Sequence, residues 1–155
     1  MPPAKDTAGV LAPPPVIYLF WLLVGLGLDR LWPLPFLPQN AQYLLGGALI
    51  AASLLLAAWV LRAFLKAKTS IDPYKPTTAI ITTGPFSRSR NPAYVALAVL
   101  CLGIGLAVDS LWALVTVVPA VATIQRFVIL REEAYLERKF GEDYRNYKDT
   151  VRRWL

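Results

Sequence analysis

Histidine is absent from this sequence of 155 residues, and cysteine and methionine occur once each. The lack of histidine removes the side chain that most often serves as a general base near neutral pH and as a metal ligand. A lone cysteine excludes a disulfide framework within the chain, and the two shortages together exclude a zinc or haem site. Cys101 lies inside an apolar block and reads as a small buried hydrophobe. Charge is scarce as well: Asp, Glu, Lys and Arg make up 17% of the residues. Internal repeats and low-complexity segments are missing. The stretch 1–15 carries Lys5, Asp6 and a run of Pro13, Pro14 and Pro15, and no polar cleavage region follows the next apolar block. It therefore does not read as a cleavable signal.

What is present is apolar. Hydrophobic residues make up 56% of the chain and the mean hydropathy is +0.48, whereas soluble domains are about 45–50% apolar. These residues fall in long blocks that charges seldom interrupt, the pattern of a chain solvated by a bilayer. The net charge of +6 invites a nucleic-acid partner. The basic residues flank apolar blocks instead of lining one soluble face, so they read as topology determinants in contact with anionic headgroups, and nucleic acid is set aside. The expected class is an all-α polytopic membrane helix bundle, one integral membrane domain over 1–155. Four transmembrane helices are expected at about 16–30, 43–64, 92–108 and 111–130, followed by a C-terminal amphipathic helix in a cytoplasmic tail, 131–155.

Local signals mark the joints. Tyr18, Trp21 and Trp32 suit interfacial anchoring of the first span. Pro33, Pro35 and Pro38 force an irregular connection. Gly46, Gly47, Ala51 and Ala52 let the second span approach a neighbour closely. The polar loop 65–91 holds Pro73, Pro76, Pro85 and the β-branched stretch TTAIITTGPF, which is compatible with extended backbone. Asn91 is placed to cap the third span and Pro92 suits its first position. Asp109 and Ser110 make a turn so tight that the last two spans form an antiparallel hairpin. Beyond Leu130, Leu136, Phe140, Tyr144, Tyr147 and Val151 recur at helical spacing, with a possible break at Gly141. With four spans, 15 of the 16 basic residues share the side of the N-terminus, the 65–91 loop and the tail. That side is expected to be cytoplasmic, in the plasma (inner) membrane.

Two polar clusters meet on that side. One is the run Thr83 to Tyr94 entering the third span; the other is Arg131-Glu132-Glu133 leaving the fourth. The hairpin brings them to the same end of neighbouring helices. From composition alone, Arg88 and Arg90 set topology, Asn91 and Pro92 cap a helix, and the glutamates belong to a solvated first turn. Against that last reading, Glu132 and Glu133 precede Leu136 by four and three residues, so the apolar stripe runs into them. A carboxylate on an apolar stripe at the membrane border is costly unless paired or bound to a ligand. Gly103 and Gly105 fit either ligand room or helix packing.

TTGPFSRSRNPAY, a hydrophobic hairpin, REE, FGEDYRNY and VRRWL, in that order, resemble the isoprenylcysteine carboxyl methyltransferase family, and the related phosphatidylethanolamine methyltransferases share the paired glutamates. The resemblance covers about Thr78 to Leu155. It implies a membrane-embedded methyltransferase dependent on S-adenosyl-L-methionine (SAM), with a lipophilic small-molecule or lipidated substrate arriving through the bilayer, membrane lipids as surroundings and no metal. Carried over residue by residue, the donor pocket would use Thr78, Ala79, Ile80 and Ile81; Phe86, where the family usually has Tyr; Arg90, Asn91, Pro92, Ala93 and Tyr94, where the family has Arg-His-Pro-x-Tyr; and Glu132 and Glu133. Arg131 and Glu133 are the catalytic candidates.

The chemistry suits the residues. Aromatic rings such as Phe86 or Tyr94 pack on an adenine or a sulfonium, Glu132 accepts from ribose hydroxyls or an ammonium, and Arg90 pairs with the donor carboxylate. Methyl transfer is an in-line displacement governed by alignment. Two departures bear on the acceptor. Asn91 keeps a donor and an acceptor but does not titrate, and Val128 stands where the isoprenylcysteine enzymes place a substrate-facing Arg. Three readings follow: carboxyl methylation of an isoprenylcysteine-like group or similar, N-methylation of a phospholipid amine, or a non-catalytic membrane scaffold that retains the fold.

Overall fold

The computed structural model describes residues 7–10, 12–72 and 74–155; the expectations resting on Lys5, Asp6 and Pro73 lie outside them. All regular structure among the described residues is helical: α1 (Pro14–Leu31), α2 (Gln39–Ala67), α3 (Pro92–Ala107), α4 (Leu111–Val115), α5 (Val117–Ile124), α6 (Leu130–Phe140) and α7 (Glu142–Thr150). A short 3₁₀ turn covers Gly84–Ser87, and a wide π turn, Gln125–Ile129, joins α5 to α6. The stretch 78–83 is irregular and not extended into a strand.

Three helical stretches are long and apolar enough to cross a membrane: Pro14–Leu31, Gln39–Ala67 and the run Leu111–Phe140. Their large side chains face outward, with Leu44 at 72% exposure, Leu55 at 73% and Val118 at 72%. Lipid is the solvent that makes such a surface stable, and the chain is a multi-pass membrane protein. The expected third span, 92–108, is the 16-residue helix α3. At about 1.5 Å per residue it reaches only about 24 Å, short of the roughly 30 Å hydrocarbon core. The expected fourth span lies within the run Leu111–Phe140, whose helix continues past 130 into the tail.

Packing of small residues sets the bundle. Gly46 of α2 lies against Ala107 of α3, and Gly103 lies against Ile50, so two backbones touch with no room for a Cβ at either glycine. Gly105 makes room for the Leu114 side chain; both Gly103 and Gly105 therefore serve helix packing. Ser53 Oγ donates to the Ala96 carbonyl at 2.8 Å across the same seam. At the far end, Asp109 accepts from the backbone N–H groups of Phe36 and Leu37 at 3.1 and 3.0 Å. It thereby ties the proline-rich connection to the α3–α4 turn. Ser110 caps α4 by accepting from Ala113 N at 3.2 Å, as its position suggests.

Two interiors result. The larger, with Tyr18, Leu22, Cys101, Ala120, Ile124 and Val128, fills the space between α1, α3 and the α4–α6 run. Tyr18 is thus not an interfacial anchor: it is 2% exposed and donates to the Tyr94 carbonyl at 3.1 Å. The smaller interior joins Val60, Phe86, Tyr144 and Tyr147, with Leu136, Phe140 and Val151 beside them. The tail stripe therefore packs on the bundle. It forms two helices and not one, because Gly141 adopts φ +56° and turns the chain between α6 and α7.

Candidate functional site

Two local features aim the site residues. Pro92 opens α3 with its preset φ. The π turn resets the phase of the last long helix. Buried positions step by four through Ala120, Ile124 and Val128, and a second step of four runs from Ile129 to Glu133. The one-residue slip falls inside Gln125–Ile129, the kind of wide turn that recurs at functional sites. It swings Glu133 inward.

A cavity of about 600 Å³ lies where the first turn of α1, the middle of α2, the start of α3, α6, α7 and the 70–81 loop converge. That size is typical of small-molecule sites, about 300–1,000 Å³. Ala79, Ile80, Ile81, Phe86, the run from Arg90 to Tyr94, Glu132 and Glu133 all line it, so segments far apart in sequence meet at one place. Two expected residues do not. Thr78 turns away to Lys68 and Thr69, with its Oγ1 donating to the Lys68 carbonyl at 3.3 Å. Arg131 is exposed and donates to the Gly9 carbonyl at 2.7 Å.

The polar end has two carboxylates in different states. The Tyr94 hydroxyl donates to Glu132, 2.7 Å from Oε1 and 2.9 Å from Oε2, which leaves acceptor capacity on that group. Glu133 is clamped: Arg153 donates from Nε to Oε1 and from Nη2 to Oε2, each at 2.9 Å. Arg90 Nη1 stands 3.3 Å from Glu133 Oε1, and both side chains are at most 9% exposed. That approach is an ion pair without hydrogen-bond alignment, and Arg90 Nε and Nη1 have no hydrogen-bond partner. A buried guanidinium with idle donors is costly, about 1–3 kcal/mol or more, unless an anion fills the position.

Aromatic walls complete the pocket. Phe86 meets Phe64 edge-on at 5.6 Å. Tyr147 donates to the Phe86 carbonyl at 2.7 Å. The Tyr144 phenol is pushed up to about 12, mainly by burial, with Glu133 adding and Arg90 opposing. It stays neutral at working pH. Tyr135 accepts from Thr77 N at 3.2 Å and so ties the loop to α6. The apolar limb runs between α2 and α3 past Leu54, Ala57, Ala96, Leu97 and Leu100.

Asn91 holds the cap position of α3, yet its side chain does not cap the helix. Its Nδ2 donates instead to the Arg153 carbonyl at 2.9 Å. Sequence reasoning missed Arg153, Tyr135 and Tyr144. The VRRWL ending and the tail stripe hold these residues, but nothing local tells which of them turns back to Glu133. Among the described residues no three His, Cys, Asp or Glu side chains gather as a metal site.

The profile of the phospholipid methyltransferase family matches residues 41–143, from α2 into α7. The chain belongs to the phospholipid methyltransferase family, a class of membrane methyltransferases. An uncharacterised protein of Haemophilus influenzae is 44% identical over 62 residues, which is 40% of this chain and 98% of that relative. No solved structure matches the chain.

Proposed function

We propose that the chain is a SAM-dependent methyltransferase that binds its donor at the polar end of the cavity and takes a lipophilic acceptor from the bilayer. The observation that carries this is the cavity itself, where Arg90, with Nε and Nη1 lacking hydrogen-bond partners, shares the wall with Glu132 and aromatic rings. Arg90 answers the donor's carboxylate. Glu132, oriented by Tyr94, accepts from an ammonium or ribose hydroxyls. Phe86 and the strip from Ala79 to Ile81 cover an apolar ring face. The bound donor supplies an electrophilic methyl on a sulfonium. The protein's part is to align an acceptor lone pair with it and exclude water.

The acceptor's alkyl portion suits the limb between α2 and α3. Of the acceptor classes, an amine headgroup is favoured over a carboxylate, because Val128 is fully buried in the core and offers no charge to a substrate. An amine must shed a proton first, and Glu132 at the cavity wall is the nearest candidate to receive it. In the membrane, α3 with its flanking turns makes the third of four crossings, and both termini and the 65–91 loop lie on the cytoplasmic side.

Methyl-labelled SAM incubated with the purified protein and vesicles tests this reading. Label is expected in phosphatidylethanolamine and not in a farnesylated cysteine. Label in the farnesylated cysteine alone would reverse the choice of acceptor. Donor binding with no transfer to any lipophilic acceptor would favour a non-catalytic scaffold.

A further inference from the structure

The last five residues close the site from behind. Arg90 N donates to the Arg152 carbonyl at 2.9 Å, Asn91 Nδ2 to the Arg153 carbonyl at 2.9 Å, and Trp154 Nε1 to Gln125 Oε1 at 2.8 Å. This strap lies beyond the family-matched residues 41–143, and it presents a single guanidinium to the polar cluster.

We propose that Arg153 is a positioning residue that keeps Arg90 available to an anionic ligand by occupying Glu133. The proposal rests on the donor site described above. Glu133 has one edge, between its two oxygens, that accepts a guanidinium fork, and Arg153 fills it with two bonds of 2.9 Å. Arg90 approaches the same carboxylate from the side at 3.3 Å and forms no hydrogen bond through Nε or Nη1. The two arginines compete for one acceptor. Arg153 wins because its backbone is pinned to residues 89–91, so its fork is preorganised. The loser keeps Nε and Nη1 desolvated and without hydrogen bonds, in a side chain that lines the cavity. If Arg153 lost its fork, Glu133 would take Arg90 in a bidentate pair and the anion site would close on itself.

Two ligands that differ only in the relevant group test this. S-adenosylhomocysteine carries the amino-acid carboxylate, and 5′-methylthioadenosine lacks it. In calorimetric titrations of detergent-solubilised protein, Arg153→Met should weaken S-adenosylhomocysteine binding about tenfold to a hundredfold, the loss of one charge-assisted contact. Methylthioadenosine affinity should be unchanged. Arg153→Lys keeps the charge without the fork and should show a smaller loss of the same selectivity; it serves as the variant if the methionine protein does not fold. In a Glu133→Gln background the competition for Arg90 is gone, and Arg153→Met should add little. Equal loss for both ligands would reduce Arg153 to a structural tie, and unchanged affinity for both would overturn the role. Failure of the unmodified protein to bind either ligand would instead remove the donor site on which the inference rests.

Discussion

Gly46 gives the most direct test of how the bundle is held. A Cβ there would lie 2.5 Å from Ala107 N and 2.7 Å from its Cα and Cβ, whereas carbon atoms in contact prefer about 3.5–4.0 Å. The obstruction is backbone, so it does not swing aside; α2 and α3 must part by roughly 1 Å. Such overpacking costs about 1–3 kcal/mol. The separation also strains the 2.8 Å bond from Ser53 to the Ala96 carbonyl, worth about 1 kcal/mol. Gly47, one residue on, has nothing within 4 Å of its would-be Cβ. Both substitutions share the gain in helix propensity from Gly to Ala, about 1 kcal/mol. Gly46→Ala should therefore be about 2–4 kcal/mol less stable than Gly47→Ala. The measurement is reversible denaturant unfolding in detergent micelles, followed by helical circular dichroism. Equal stabilities would refute the close approach of these two helices, and with it the shape of the apolar limb they enclose.

Other outcomes follow from individual contacts. Asn91 ties α3 to the strap and does not cap it, so Asn91→Ser should destabilise as much as Asn91→Ala, about 1 kcal/mol each by unfolding; a silent serine variant would restore the capping role. Tyr144 is held near 12 against an ordinary 10.0 by burial, with Glu133 and Glu132 raising it and Arg90 lowering it. Its folded value is the higher, so the phenol contributes stability below about pH 10 that fades as pH rises toward 12; an unfolding series across that window should flatten in Tyr144→Phe, and an unchanged slope would contradict the burial. Cysteines introduced as Ser70→Cys and Thr150→Cys should both label from the cytoplasmic face, and labelling on opposite faces would separate the loop from the tail.

Much of this was legible in the residues. The apolar blocks located the long helices, Asp109 and Ser110 marked the turn between α3 and α4, and parts of both polar clusters, Phe86 with Arg90 to Tyr94 and Glu132 with Glu133, line one cavity. Three features were not legible. The inward turn of Glu133 depends on a π turn at Gln125–Ile129, which no side chain there announces. The role of Asn91 was masked because Asn-Pro is also a strong helix start. Arg153 escaped for a different reason: a surface arginine and a buried clamp have one spelling, and only long-range packing separates them.

Whether the donor site is built on Glu132 is decided by titrating S-adenosylhomocysteine into the detergent-solubilised protein and its Glu132→Gln and Glu137→Gln variants. Glu132 meets Tyr94 at the cavity wall, whereas Glu137 pairs with Lys148 at 3.2 Å nearer the surface. The unmodified protein should bind, Glu132→Gln should lose affinity roughly tenfold to hundredfold, and Glu137→Gln should change little. Equal affinity of all three proteins would contradict the role of Glu132, and no binding to any would contradict the methyltransferase itself.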